Sequence, residues 1–108
     1  MALLDDYLKD LAPLVNLDCG THNTAGVTQA AKIMKRHFDS IGFTTELVDL
    51  GPEVGHGLIA RNKPDADHID VLMNGHLDTV FPDGTAARRP LSIDGDHAHG
   101  PGCSDCKG

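Results

Sequence analysis

The apolar positions of the first 41 residues recur at steps of three and four, which predicts two amphipathic helices. The first helix carries Leu4, Leu8, Leu11, Leu14 and Val15 on one face. We expect this face to pack against a sheet, and we expect Pro13 to perturb the last turn.

The second helix is predicted to follow the turn at residues 18–23, where Asn23 or Thr24 is placed to cap its first turn. Its apolar face consists of Val27, Ala30, Ala31, Met34, Phe38 and Ile41. Gly42 should end the helix in the left-handed conformation that glycine adopts at low cost.

Three segments typical of strands follow the helices. Residues 43–50 and 57–61 are rich in β-branched and apolar side chains, and the Gly51-Pro52 turn between them suggests a hairpin. Residues 69–73 are an apolar run, which predicts a buried strand at the centre of a sheet. Helices followed by strands at this spacing indicate an α/β fold.

From residue 81 onward the regular pattern fades, and glycine and proline punctuate the chain. Loops of this length inside a compact domain are usually functional or disordered. We favour a functional loop, because His76 and Asp78 precede it and another carboxylate, Asp105, stands near its end.

Composition restricts the partners and the compartment. A formal charge of -7, with one tyrosine, three phenylalanines and no tryptophan, disfavours nucleic acid and anionic membrane as partners. The N-terminal segment is acidic where a signal peptide is basic, and no apolar run approaches a transmembrane span in length. Three cysteines are too few for a disulfide framework, so we expect reduced thiols in a cytoplasmic protein.

The candidate chemistry centres on His76 and Asp78, which follow the predicted strand at residues 69–73. Open α/β sheets place ligands at the carboxyl ends of their strands. A neutral imidazole is the commonest metal ligand, and a carboxylate on its second nitrogen fixes the tautomer and raises its basicity. A His-x-Asp triplet alone occurs by chance, so a metal role depends on a second motif.

Three segments together supply that second signal: GHLDTVFPDGTAARRP, then LSIDGDHAHGPG, then DCKG. In this order they resemble the N-terminal catalytic part of the co-catalytic zinc metallopeptidases of the glutamate carboxypeptidase, aminoacylase and peptidase T type. Residues 81–90 most resemble the glutamate carboxypeptidase branch. The similarity runs from about residue 14 to residue 108.

The resemblance implies roles for three residues. His76, in the GHxDT motif, would bind one zinc ion; Asp78 would be the catalytic-site residue that orients it; Asp105, in the GxGxxDxKGG motif, would bridge two metals. A carboxylate has two oxygens and can span two cations about 3.5–4 Å apart. The cofactor implied is Zn²⁺, two per complete active site, with cobalt or manganese as possible substitutes.

The resemblance also implies a fold and a reaction. The fold would be the N-terminal portion of a zinc-exopeptidase-like three-layer α/β/α domain with a mixed sheet. The reaction would be hydrolysis of an amide bond in a small peptide or N-acyl amino acid by metal-activated water, and the complete protein could form a homodimer. Because the family supplies its other ligands, a glutamate base and a dimerisation domain further downstream, we expect residues 1–108 to be a truncated part of the catalytic domain, inactive alone.

Simpler interpretations compete for several residues. Cys103 and Cys106 could be a redox pair or half of a structural zinc site, although no second pair stands at zinc-finger spacing. His97 and His99 could face one side of a strand and bind metal, but a polar face is favoured. Without the upstream motif, Asp105 would be read as part of a solvated turn.

Two more interpretations concern Cys19 and the paired arginines. Cys19 is better explained as a packed thiol than as a nucleophile, and Arg88 and Arg89 as surface salt-bridge partners than as guides for an acidic substrate. The alternative function is a non-catalytic module that binds metal weakly, or a partner through an exposed sheet edge.

Overall fold

The computed structural model describes residues 2–108. Two helices open the chain, α1 at Ala2–Val15 and α2 at Thr24–Ser40. A hairpin of β1 (Thr44–Val48) and β2 (Gly57–Arg61) follows them. The first half of the chain therefore has the order of elements that its hydrophobic pattern predicts.

The second half has less regular structure. It contains a short helix, α3 at Thr85–Arg88, and a second hairpin of β3 (Ser92–Asp94) and β4 (His97–His99). The protein is therefore mixed helix and strand, but its described residues form two separate two-stranded sheets. The β3–β4 hairpin lies in the region where the sequence pattern fades. In this region the sequence suggested only a possible strand at His97 and His99.

Helix α1 forms where it is predicted and contains Pro13. Only its C-terminal end is buried, because Leu14 packs against Ala30 and Ile33 of α2, while Leu4 is 54% exposed. The expectation that α1 packs against a sheet is therefore wrong, since α2 is the helix that contacts the β1–β2 hairpin. Neither α1 nor another helix of residues 2–108 has the length and hydropathy to cross a membrane.

Helix α2 supplies more of the buried apolar residues than any other element that the structure describes. Asn23 is its N-cap, and the side-chain oxygen of Asn23 accepts from the Gly26 N–H at 2.9 Å. Most of the predicted face is confirmed as buried or half-buried, but Ile41 is 67% exposed because it lies beyond the helix end. Ile33 is buried instead. Gly42 has the expected positive φ, 91°.

The first hairpin is antiparallel and confirms the predicted pairing, with a shorter first strand and the second strand as predicted. Thr44 pairs with Arg61 at one end, and Val48 pairs with Gly57 at the other. Both strands contact α2, so α2 and the hairpin form one packed unit. The ring of Phe38, in the last turns of α2, lies 5.3 Å from the ring of Phe43.

The predicted buried strand at residues 69–73 is wrong for this chain. The segment has no strand structure, and its side chains are exposed, from 69% at Ile69 to 89% at Met73. A strand needs a neighbour for its backbone hydrogen bonds, and no strand of residues 2–108 lies beside this segment. Other contacts must therefore hold the His76 segment in place.

Candidate metal centre

The turn between α1 and α2 holds the segment that carries His76. The Thr79 N–H donates to the Cys19 carbonyl at 2.8 Å, and the Thr21 N–H donates to the Thr79 carbonyl at 3.0 Å. The buried Cys19 thiol donates to the Leu77 carbonyl at 3.4 Å. These contacts form a parallel bridge across nearly 60 residues and make Cys19 a packed thiol, as expected.

Asp18 holds the segment that follows. Its carboxylate accepts from the Gly84 N–H at 2.8 Å and the Ala86 N–H at 3.0 Å, and these two backbone donors lower the pKa of the Asp18 carboxyl. The Asn23 amide donates to the Asp83 carboxylate at 2.9 Å. Sequence reasoning recognised turn chemistry at residues 18–23 but not these distant partners.

The C-terminal segment docks on the end of α1. Lys107 Nζ donates to the carbonyl of Leu14, in the last turn of α1, at 2.5 Å and to the carbonyl of Leu17, just after the helix, at 3.1 Å. Gly100 packs so closely that a Cβ there would lie 2.3 Å from Cγ1 of Val15. Helix α1 and the turn after it thus fix both segments that carry the candidate site.

This arrangement brings the three predicted site residues together. His76 Nε2 lies 2.8 Å from Asp105 Oδ1. His76 Nδ1 lies 3.0 Å from the Asp78 backbone carbonyl and 3.4 Å from the Asp78 carboxylate. The Thr21 hydroxyl donates to the other carboxylate oxygen of Asp78 at 2.5 Å. Asp78 is therefore placed to orient His76, chiefly through its carbonyl in this structure.

The two aspartates shift the titration of His76. The hydrogen bond that His76 donates to the Asp105 carboxylate is the main cause that raises the pKa of His76, and the bond to the Asp78 carbonyl adds to it. Because the folded-state pKa is raised, the pairing stabilises the fold below the ordinary histidine pKa and loses this contribution as the pH rises through the raised value. A proton and a metal compete for the same nitrogen, so metal affinity should increase over that pH range.

Asp105→Asn should lower the pKa of His76 towards its ordinary value, because the substitution removes the largest cause of the shift. The measurement is a pH titration of the His76 ring protons by NMR, without metal. Asp70→Asn is the matched control, since it makes the same charge change at an exposed residue paired with His68 at 3.2 Å. An unchanged pKa of His76 in Asp105→Asn would show that the two side chains do not pair in solution.

The donor set fits a transition metal. Ligand atoms of His76, Asp105 and Cys106 all lie within 4.8 Å of one another, and all three residues are exposed. Imidazole nitrogen, carboxylate oxygen and thiolate sulfur are the three donor types that zinc uses in proteins. Sequence reasoning assigned the first two as ligands and considered Cys106 only as part of a cysteine pair.

A cavity of about 290 Å³ adjoins the cluster, close to the lower limit for small-molecule sites. His76, Asp78, Phe81 and Ser104 are among the residues that line it. A larger cavity of about 630 Å³ lies between α2 and the loop before β2. Its His56 lies 3.3 Å from the Thr28 hydroxyl. The smaller cavity is the candidate binding site because all three predicted site residues line it.

Other singled-out residues lie outside the cluster. The rings of His97 and His99 lie on one face of β4 with centroids 6.1 Å apart, but they are not part of the metal-ligand group found in residues 2–108. Cys103 is also not part of it, and burial raises the pKa of its thiol. The structure therefore does not pair Cys103 with Cys106 as two metal ligands.

The arginines differ from the favoured expectation of surface salt bridges. The guanidinium of Arg89 lies 5.3 Å from the Phe81 ring centroid, and Arg88 donates to the Thr85 hydroxyl at 3.4 Å. Within residues 2–108, neither arginine takes part in the ion pairs that the structure shows. Arg89 instead lies against a ring that lines the cavity.

Comparison with known proteins supports a relationship to hydrolases. No protein-family model matches this sequence. The chain is 33% identical over 102 residues to Carboxypeptidase G2 of Pseudomonas sp. (strain RS-16). This chain resembles a piece of a carboxypeptidase. The matched region is 94% of the chain but 24% of that protein, so the chain spans about a quarter of the length of the curated relative it matches.

Proposed function

We propose that this chain is the N-terminal part of the catalytic domain of a zinc-dependent exopeptidase or amidohydrolase of the glutamate carboxypeptidase type. The observation that carries the proposal is the contact of His76 with Asp105, 29 residues apart in sequence, at 2.8 Å. Asp78 faces the other nitrogen of the same ring. Similarity to Carboxypeptidase G2 over nearly the whole chain supports the same interpretation.

The proposed roles follow from the positions of the donors. His76 would hold zinc through Nε2, and Asp105 would hold it through its carboxylate, with the second carboxylate oxygen available for a second ion. Asp78 would fix the tautomer and orientation of His76. When bound, the zinc ions would polarise the amide carbonyl and activate water. The substrate would be a small peptide or N-acyl amino acid in the adjacent cavity.

The proposal includes a larger fold. Residues 1–108 would be one part of a three-layer α/β/α domain with a mixed sheet, in a cytoplasmic protein that could form a homodimer. The exposed apolar residues 69–73 support this part of the proposal, because an apolar run of this kind becomes a buried strand when neighbouring strands pair with it.

The isolated chain should bind zinc measurably but far more weakly than a complete site, because affinity grows with the number and preorganisation of ligands. Calorimetric titration with a competing chelator measures the affinity, and His76→Ala should remove it. His68→Ala is the matched control, since His68 also pairs with an aspartate, Asp70, but lies outside the cluster. Equal zinc affinity in His76→Ala and the unaltered chain would contradict the proposed site.

The exposed segment 69–73 also favours a second candidate function. A non-catalytic module could bind a partner through this run or through the free edge of a hairpin, since unpaired strand edges invite association. Such a module needs no metal for its activity. Turnover that requires both zinc and His76 in the complete protein would exclude this candidate.

A further inference from the structure

Cys106 lies at the candidate metal centre. Its Sγ is within 4.8 Å of the ligand atoms of His76 and Asp105. It also lies next to the backbone before the histidine, because a Cβ on Gly75 would be 3.7 Å from this sulfur. The thiol therefore lies close to the residue that precedes His76 in the chain.

The distances suit one shared cation. Zinc binds imidazole nitrogen at about 2.0–2.1 Å, carboxylate oxygen at about 2.0–2.2 Å and thiolate sulfur at about 2.3 Å. Two atoms bound to one ion are thus separated by no more than the sum of two such bonds. The ligand atoms of the three residues lie within 4.8 Å of one another, so small side-chain movements bring them to these distances. The three residues are exposed, so side-chain rotation can supply that movement.

The charges also suit a divalent cation. A carboxylate and a thiolate carry one negative charge each, and the imidazole binds metal as a neutral ligand. Together they bring two negative charges to a site for divalent cations.

We infer that Cys106 is a third protein ligand of the metal at His76 and Asp105, forming a mixed nitrogen, oxygen and sulfur site that prefers thiophilic cations. This inference rests on the proposed metal site, and it adds a ligand specific to this sequence. A sulfur ligand favours zinc, cobalt or cadmium over manganese, which binds oxygen ligands better. Manganese would therefore be a poor substitute in this protein.

The test is a titration of the 108-residue chain with Co²⁺. A phosphine that does not bind the metal keeps the cysteine thiols reduced. A cobalt–thiolate bond gives a near-ultraviolet charge-transfer band, which is independent of enzymatic activity. The unaltered chain and Cys103→Ser should show the band, and Cys106→Ser should lose it. The Co²⁺ affinity of Cys106→Ser should fall by more than about tenfold. Loss of a residue that only supports a metal ligand already costs at least about that much.

A second measurement compares Cd²⁺ with Mn²⁺ by competition. The preference for Cd²⁺ in the unaltered chain should fall by at least about tenfold in Cys106→Ser and stay unchanged in Cys103→Ser. Cys103 is the matched control because it lies three residues away on the same segment but outside the cluster. Circular dichroism verifies that both variants keep the fold.

Each outcome decides the inference. A band that persists in Cys106→Ser overturns it, and equal loss of the band in both cysteine variants overturns it in favour of a Cys103–Cys106 chelate. Co²⁺ binding that lacks the band but disappears in His76→Ala overturns the role of Cys106 while supporting the proposed metal site. Complete absence of Co²⁺ binding also overturns it, whereas the proposed hydrolase is judged separately by zinc-dependent turnover of the complete protein.

Discussion

Asp105→Asn should reduce turnover by more than about 100-fold in the complete protein that carries this segment, and it should lower the bound metal per protomer. Asparagine keeps the volume but presents one good acceptor oxygen and no negative charge, so it should bridge two cations poorly. Loss of a residue that only supports a ligand costs about 10–100 fold, and a direct ligand should cost more. Metal analysis and steady-state hydrolysis of acyl-glutamate or dipeptide substrates measure both effects.

Asp78→Asn is the matched comparison, with the same chemical change at the neighbouring acidic residue of the site. It should keep most of the metal and lose about 10–100 fold in affinity or turnover. The milder effect is expected because the backbone carbonyl of Asp78, 3.0 Å from His76 Nδ1, survives the substitution. Full metal content with near-normal turnover in Asp105→Asn would contradict the bridging role and the two-metal proposal.

Gly26→Ala should destabilise the chain by about 3 kcal/mol, the upper end of the usual cost of overpacking. A Cβ at this position would lie 1.9 Å from the Asp18 carbonyl oxygen and 2.9 Å from the Asn23 amide nitrogen. Both neighbours belong to the turn whose Thr21 holds Asp78, so the strain should reach the candidate site. Thermal unfolding followed by circular dichroism measures the loss, which corresponds to a decrease of roughly 4–8 °C in Tm per kcal/mol.

Whether Gly26→Ala lowers or raises the stability distinguishes the effect of packing from that of helix propensity. Alanine is normally favoured over glycine inside a helix by about 0.5–1 kcal/mol. Gln29 lies on the exposed side of the same helix, so Gln29→Ala should be more stable than Gln29→Gly by that amount. If Gly26→Ala were as stable as the unaltered chain or more so, the close approach of the turn to α2 would not exist in solution.

The local elements were predictable because short-range chemistry decides them. Asn23 as the N-cap of α2, the positive φ of Gly42 and the β1–β2 hairpin each depend on a few neighbouring residues. The buried strand at residues 69–73 was not correctly predicted, because an apolar run becomes a strand only when other strands pair with it. In the described chain these residues are exposed instead.

The candidate site was predictable in its residue types and not in its construction. The resemblance carried by the motifs of His76, Asp78 and Asp105 implied metal chemistry before any distance was known. Two features were not foreseen. Cys106 lies with the ligand atoms of His76 and Asp105, and Lys107 donates to the carbonyls of Leu14 and Leu17 around the end of α1.

The sequence by itself determined the first two helices and the first hairpin, because periodicity, caps and turn residues act over a few positions. Tertiary structure alone decided which distant groups meet. Asp18 supports the Gly84 backbone 66 residues away, and His76 meets Asp105 across 29 residues. The physical reason is that such contacts depend on how the end of α1 and the following turn dock two separate segments, and no local pattern encodes that docking.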